Sequence, residues 1–149
     1  MVKVTPFIIL GLFVDGLLNI PNDRASAKTT PKVVRLKKIP SAFFGTWHYY
    51  DRFRHRFVTL KLASHSFREG KGQATGKHLI VQRMTIDGHN QYAFFSKRKQ
   101  DDCSAFALYH LGKVLVNGRY HHAILLDGQE AFLPVKTRAR VTIPKVYRY

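Results

Sequence analysis

Apolar and polar positions alternate with a period of two along most of the chain. From Thr46 onward no stretch holds apolar residues on one helical face for three turns, while aromatic and β-branched residues dominate. The first predicted strand covers 46–53, with Trp47 and Tyr49 on one face and His48, Tyr50 and Arg52 on the other. The second covers 56–65, where Val58, Leu60 and Leu62 alternate with Phe57, Thr59 and Lys61. Residues 66–78 carry Gly70, Gly72 and Gly76 among charged side chains and read as a mobile loop. Further strands are predicted over 79–86, 91–97, 104–111, 114–116, 119–126 and 130–136. The last runs over 138–143, with Ala139, Val141 and Ile143 opposite Arg138, Arg140 and Thr142.

Tight turns join these segments. Asn117-Gly118 and Asp127-Gly128 are hairpin signals, because both central residues of such a turn must accept a positive φ. Neighbouring strands are therefore antiparallel. Closing them on themselves removes exposed edges, so the pattern predicts an all-β fold, a small antiparallel up-and-down barrel of about six to eight strands.

The N-terminal part has a different texture. Lys3 precedes an apolar run from Phe7 to Leu18, and Ala25-Ser26-Ala27 supplies the small-x-small pattern cut by signal peptidase. The run is shorter than the about 20 apolar residues that span a bilayer. The expected organisation is a signal peptide at 1–27, a basic flexible lead at 28–38 and the β-barrel domain at 39–149. The protein is thus expected to be secreted or associated with the cell surface. Ile39-Pro40-Ser41 is suited to a single helical turn before the first strand.

Charge narrows the choice of partner. The chain holds 25 Lys and Arg against 9 Asp and Glu. Lys3, Arg24, Asp15 and Asp23 cancel within the leader, so the net charge of +16 belongs to the remainder. That exceeds the magnitude of about 2–8 usual for a small soluble domain, and such a field attracts polyanions. The expected partners are anionic polymers: phosphate-bearing wall polymers of the teichoic-acid kind, anionic lipid or acidic polysaccharide. Basic residues interleave with aromatics in two places. Tyr49, Tyr50, Arg52, Phe53, Arg54 and Arg56 form the denser set; Arg138, Arg140, Lys145 and Arg148 with Tyr147 and Tyr149 form the other.

Enzyme chemistry is not indicated. The acids of the mature part are accounted for by turns and solvated loops, except Asp51, which lies amid Arg52, Arg54 and Arg56 and is expected to fix an arginine by an ion pair. The eight histidines show no metal-ligand spacing, and His121 and His122 point to opposite faces of a strand. A convergence of His48, His110 and His122 from different strands is the remaining metal arrangement. Cys103 is the only cysteine, so no internal disulfide forms. No cofactor is expected.

The segment Ile39-Pro40-Ser41-Ala42-Phe43-Phe44-Gly45-Thr46-Trp47 resembles the opening of lipocalin-type barrels of the calycin superfamily, where a short helical turn leads into Gly-x-Trp on the first strand. The leader, basic lead and Gly-Thr-Trp-x-Tyr-Tyr-Asp run also resemble small secreted lipocalin-like proteins of lactic-acid bacteria. The resemblance implies that Gly45 permits a close backbone approach and that Trp47 plugs the closed end of the barrel. It implies a fold and an address, not an activity.

The sequence therefore predicts a secreted, monomeric, non-enzymatic binding module. Its cations, Arg52, Arg54, Arg56, Arg138, Arg140, Lys145 and Arg148, are expected to hold anionic cell-envelope polymers. The alternatives are a carrier or enzyme accessory holding a small apolar ligand in the barrel, and a nucleic-acid-binding protein.

Overall fold

A computed structural model describes residues 31–86, 88–98 and 107–148. The expected leader, the start of the basic lead, Asp87 and Cys103 lie outside the described residues.

The described chain is all-β and antiparallel, with three short 3-10 turns. The smaller sheet has four strands in sequential order: β2 (Gly45–Asp51), β3 (Arg56–Ala63), β4 (Ser66–Glu69) and β5 (Gly72–Thr75). The larger sheet has seven. Its main path is β1 (Lys32–Leu36), β6 (Leu79–Ile86), β7 (His89–Ser96), β8 (Tyr109–Val116), β9 (Arg119–Leu126) and β10 (Glu130–Phe132), and β11 (Val141–Thr142) pairs with β8.

These sheets do not close into the expected barrel. Among the described residues backbone hydrogen bonds join the two sheets at one place, where His48 and Leu133 exchange bonds of 2.7 and 2.9 Å. Closure would require the free edge of β5 to pair with β6. That edge of β6 is already taken by β1, in register from Lys32↔Thr85 to Leu36↔Val81. The segment expected as a flexible lead thus supplies the strand that caps the larger sheet. The expected mobile loop 66–78 likewise contains the β4–β5 hairpin, paired from Ser66↔Thr75 to Glu69↔Gly72.

Alternation places a shared core between the sheets. Trp47, Leu60, Leu62 and Phe67 come from the smaller sheet and meet Val81, Phe94, Tyr109, Ile124 and Phe132 from the larger one. Phe94 stacks on Tyr109 at 5.2 Å between ring centroids, and Phe43 meets Tyr92 edge-on at 4.8 Å, geometries that add to area burial. A second core covers the outer face of the larger sheet. There Val114, Val116, Ala123, Leu125, Ala131 and Leu133 pack under Ile143, with Ala139, Val141 and Tyr147 alongside. This explains why Ala123, Ile124 and Leu125 are all buried: both faces of β9 are covered over its second half, and the outer one is closed by the C-terminal segment.

The turns follow their chemistry. Asn117 and Gly118 have φ of 48° and 77°, and Asp127 and Gly128 have 49° and 66°. The 3-10 turn Ser41–Phe43 leads into β2, and the buried Trp47 donates its indole N–H to the Phe43 carbonyl at 3.0 Å. Gly45 enters the strand at φ 131°, a conformation L side chains rarely adopt. The predicted strand at 138–143 shrinks to Val141–Thr142, and that at 130–136 to Glu130–Phe132, because Pro134 has no N–H to extend the ladder.

Candidate polyanion-binding face

The outer face of the smaller sheet assembles by register. Trp47 points inward, so His48 and Tyr50 point outward, and the pairs His48↔Thr59 and Tyr50↔Phe57 place Thr59 and Phe57 beside them. Lys61 follows on the same face and pairs with Arg68 of β4. Past the Leu133 junction the chain runs alongside this face. Lys136 Nζ stands 5.8 Å from the Phe57 ring centroid, and Arg138 Cζ stands 5.6 Å from that of Tyr50. The two rings are themselves 5.0 Å apart. Arg52 donates from Nη2 to the Arg138 carbonyl at 3.1 Å. Aromatic faces thus hold two cations in place without neutralising them.

Two hollows extend this row. A groove of about 780 Å³ is lined by Arg56, Phe57, Thr59, Lys61, Arg68 and Lys71, together with the acid Glu69. A cavity of about 440 Å³ between β2 and the C-terminal segment is lined by Tyr50, Arg52 and Arg140, with Asp51. His48, whose Nδ1 lies 3.2 Å from Thr59 Oγ1, also lines this cavity. Burial holds its pKa below the usual value, and Lys136 and Lys61 push it the same way.

The predicted cations divide into three groups. Arg52, Arg138 and Arg140 come together on this face. Arg54 lines a different hollow, of about 310 Å³, opening between the sheets with Asp51, Glu69 and Glu130, and Arg56 stands between that hollow and the 780 Å³ groove, lining both. In the smaller hollow Tyr109 donates its hydroxyl to Glu69 at 2.5 Å. Burial raises the Glu130 pKa, and Glu69, Asp51 and Asp127 raise it further. Tyr49 is raised by burial and by Glu130 and Asp51, against Arg52. Lys145 and Arg148 form the third group, in the closing 3-10 turn over the larger sheet, where Arg148 Nε donates to the Ile143 carbonyl at 3.0 Å.

Asp51 acts less as an ion-pair partner than as a turn cap. Its Oδ1 accepts from the backbone N–H groups of Phe53 and Arg54 at 3.0 Å each, whereas Arg54 Nε stands 3.9 Å from Oδ2. His48, His110 and His122 do not converge, and among the described residues no three metal-ligating side chains gather. His110 is buried against Tyr147, with ring centroids 5.7 Å apart, and its pKa is lowered by burial and then by His89.

Sequence reasoning missed Lys61, Arg68, Lys71 and Lys136. The alternation along 56–65 already set Lys61 on the Phe57 face; finding Arg68 beside it required the β4–β5 hairpin. Comparison with protein-family models, with curated proteins and with solved structures returns no match.

Proposed function

We propose that this protein is a non-enzymatic binding module for anionic polymers, and that the polymer lies along the outer face of the smaller sheet. The observation that carries the reading is the row Lys136, Phe57, Tyr50 and Arg138, in which aromatic rings fix cations next to the groove of Lys61, Arg68 and Lys71. A linear polyanion needs cations spaced along a track and flat surfaces between them, and this face offers both. With the leader acting as expected, the polymer would be a phosphate-bearing or acidic component of the cell envelope, and retention there would be electrostatic. The carrier alternative draws less support, because Phe43, Trp47, Phe67, Phe94 and Tyr109 pack against one another between the sheets, and the hollow of about 310 Å³ that opens there is lined by Asp51, Arg54, Arg56, Glu69 and Glu130.

The test is titration of the full chain with a single-stranded oligonucleotide and with inorganic polyphosphate across a salt series. Replacing Lys61, Arg68, Lys136 and Arg138 by glutamine should flatten the salt dependence of oligonucleotide affinity by roughly 0.7 per lost contact. K145Q/R148Q, on the other side of the molecule, should bind like the parent. Equal affinity and slope in the fourfold variant and the parent would refute the placement.

A further inference from the structure

The turn between β2 and β3 presents Phe53 to solvent at 92% exposure, the highest among the exposed large apolar residues. Its sequence neighbours are Arg52, Arg54, His55 and Arg56, all exposed, and no acid lies between Arg52 and Arg56. The nearest acid in sequence, Asp51, holds the turn by accepting from the N–H groups of Phe53 and Arg54, and its other oxygen lies 3.9 Å from Arg54 Nε. His55 adopts a φ of 52°, a left-handed conformation uncommon outside glycine, which turns the chain back into β3. The apolar tip is therefore held by two hydrogen bonds at its base and backed by the Tyr50–Phe57 pair, yet its ring stays wet.

An exposed aromatic ringed by guanidinium groups fits one kind of surface well. In the boundary layer of a bilayer the ring enters the acyl region while arginines pair with lipid phosphates just above it. We propose that the Arg52–Arg56 turn is an insertion tip for anionic membranes, with Phe53 entering the bilayer and Arg54 and Arg56 engaging headgroup phosphates. Charge complementarity selects this occupant: Arg52, Arg54 and Arg56 outnumber the one acid of the turn, Asp51, and the chain as a whole carries +16. One ring and a few arginines give weak, reversible attachment rather than anchoring. The turn adjoins the polymer track, since Arg52 and Phe53 line the 440 Å³ cavity and Arg56 lines the 780 Å³ groove, but insertion depends on the Phe53 ring, which the polymer-binding reading does not use.

The experiment is co-sedimentation of the full chain with vesicles of phosphatidylcholine, with and without phosphatidylglycerol. The parent should bind the anionic vesicles selectively. F53S should lower the partition coefficient about tenfold or more, the loss expected from leaving a phenyl ring in water. R54Q and R56Q should each lower it about fivefold, as expected for one cation at an anionic surface. F53W should gain emission that shifts to the blue with anionic vesicles and is quenched by brominated acyl chains, against the steady background of buried Trp47. Binding of F53S equal to the parent's, or F53W emission unmoved by vesicles, would overturn insertion; so would a requirement for a membrane protein in the vesicles. Polyphosphate affinity should not change in F53S, so failure here and failure of the polymer-binding reading give different results.

Discussion

Two glycines with the same turn chemistry offer a controlled measure of how firmly the C-terminal segment is docked. Gly118 and Gly128 each follow a left-handed Asn or Asp in a two-residue hairpin turn, at φ 77° and 66°. An alanine at either position suffers the left-handed penalty of roughly 1–2 kcal/mol. It also stiffens the unfolded chain by a similar amount in both, so that contribution cancels in the comparison. The surroundings differ. A Cβ at Gly118 meets nothing within 4 Å, whereas one at Gly128 would lie 2.5 Å from the Tyr147 carbonyl oxygen and 3.4 Å from Arg148 Cα. Both are backbone atoms, so the closing 3-10 turn must move away, taking Tyr147 off His110. Overpacking of this kind costs about 1–3 kcal/mol. G118A should therefore lose roughly 1–2 kcal/mol and G128A roughly 2–5 kcal/mol in urea unfolding monitored by fluorescence. Limited proteolysis should cut the C-terminal segment faster in G128A only. Losses agreeing to within about 0.5 kcal/mol, inside the usual error of such comparisons, would refute the docking argument.

Two further expectations concern pH. The His48 pKa is lowered in the folded protein, so the unfolded state binds the proton more readily, and this residue's contribution to stability declines as pH falls through about 6.5. A polyanion on the face offsets Lys136 and Lys61 and returns the proton to His48. Affinity should thus rise on acidification, by at most about tenfold per pH unit from one group, and H48Q should remove that increment; an unchanged pH slope in H48Q would contradict it. Glu130 has the opposite linkage. Its pKa is raised above 4.5, so the unfolded chain ionises first and the carboxylate weakens the fold once pH exceeds the ordinary carboxylate range. E130Q should raise the melting temperature by a few degrees at neutral pH, with the gain vanishing below about pH 4; a gain independent of pH would point elsewhere.

Much of the molecule is legible in the alternation. Trp47 and Tyr49 against His48 and Tyr50, Leu60 and Leu62 against Thr59 and Lys61, and the Asn-Gly and Asp-Gly turns all read directly, because a strand with one buried face must repeat every second residue. The elements that escaped are those whose buried side is small or short. β5 turns in only Gly72 and Ala74, and β4 only Phe67, so the hairpin looks like a glycine-rich loop. β1 lies at a sheet edge with Lys32, Val33 and Arg35 exposed, and its burial is too slight to mark it as structure. That omission also explains the barrel expectation, since an unrecognised capping strand leaves an edge for closure to cover. The binding face was legible only in part for a related reason. Arg52, Arg138 and Arg140 share a neighbourhood through a crossing 86 residues apart in sequence, and local pattern does not say which distant cations become neighbours.

The C-terminal segment performs two jobs separated by parity. Odd positions, Ala139, Val141 and Ile143, fasten it to the outer core, while the even positions Lys136, Arg138 and Arg140 stay exposed. Charge there can be retuned residue by residue without disturbing the seal. A one-residue insertion directly after Pro134 would exchange the two sets, sending cations inward and methyl groups to water, and would abolish seal and charge row in a single step.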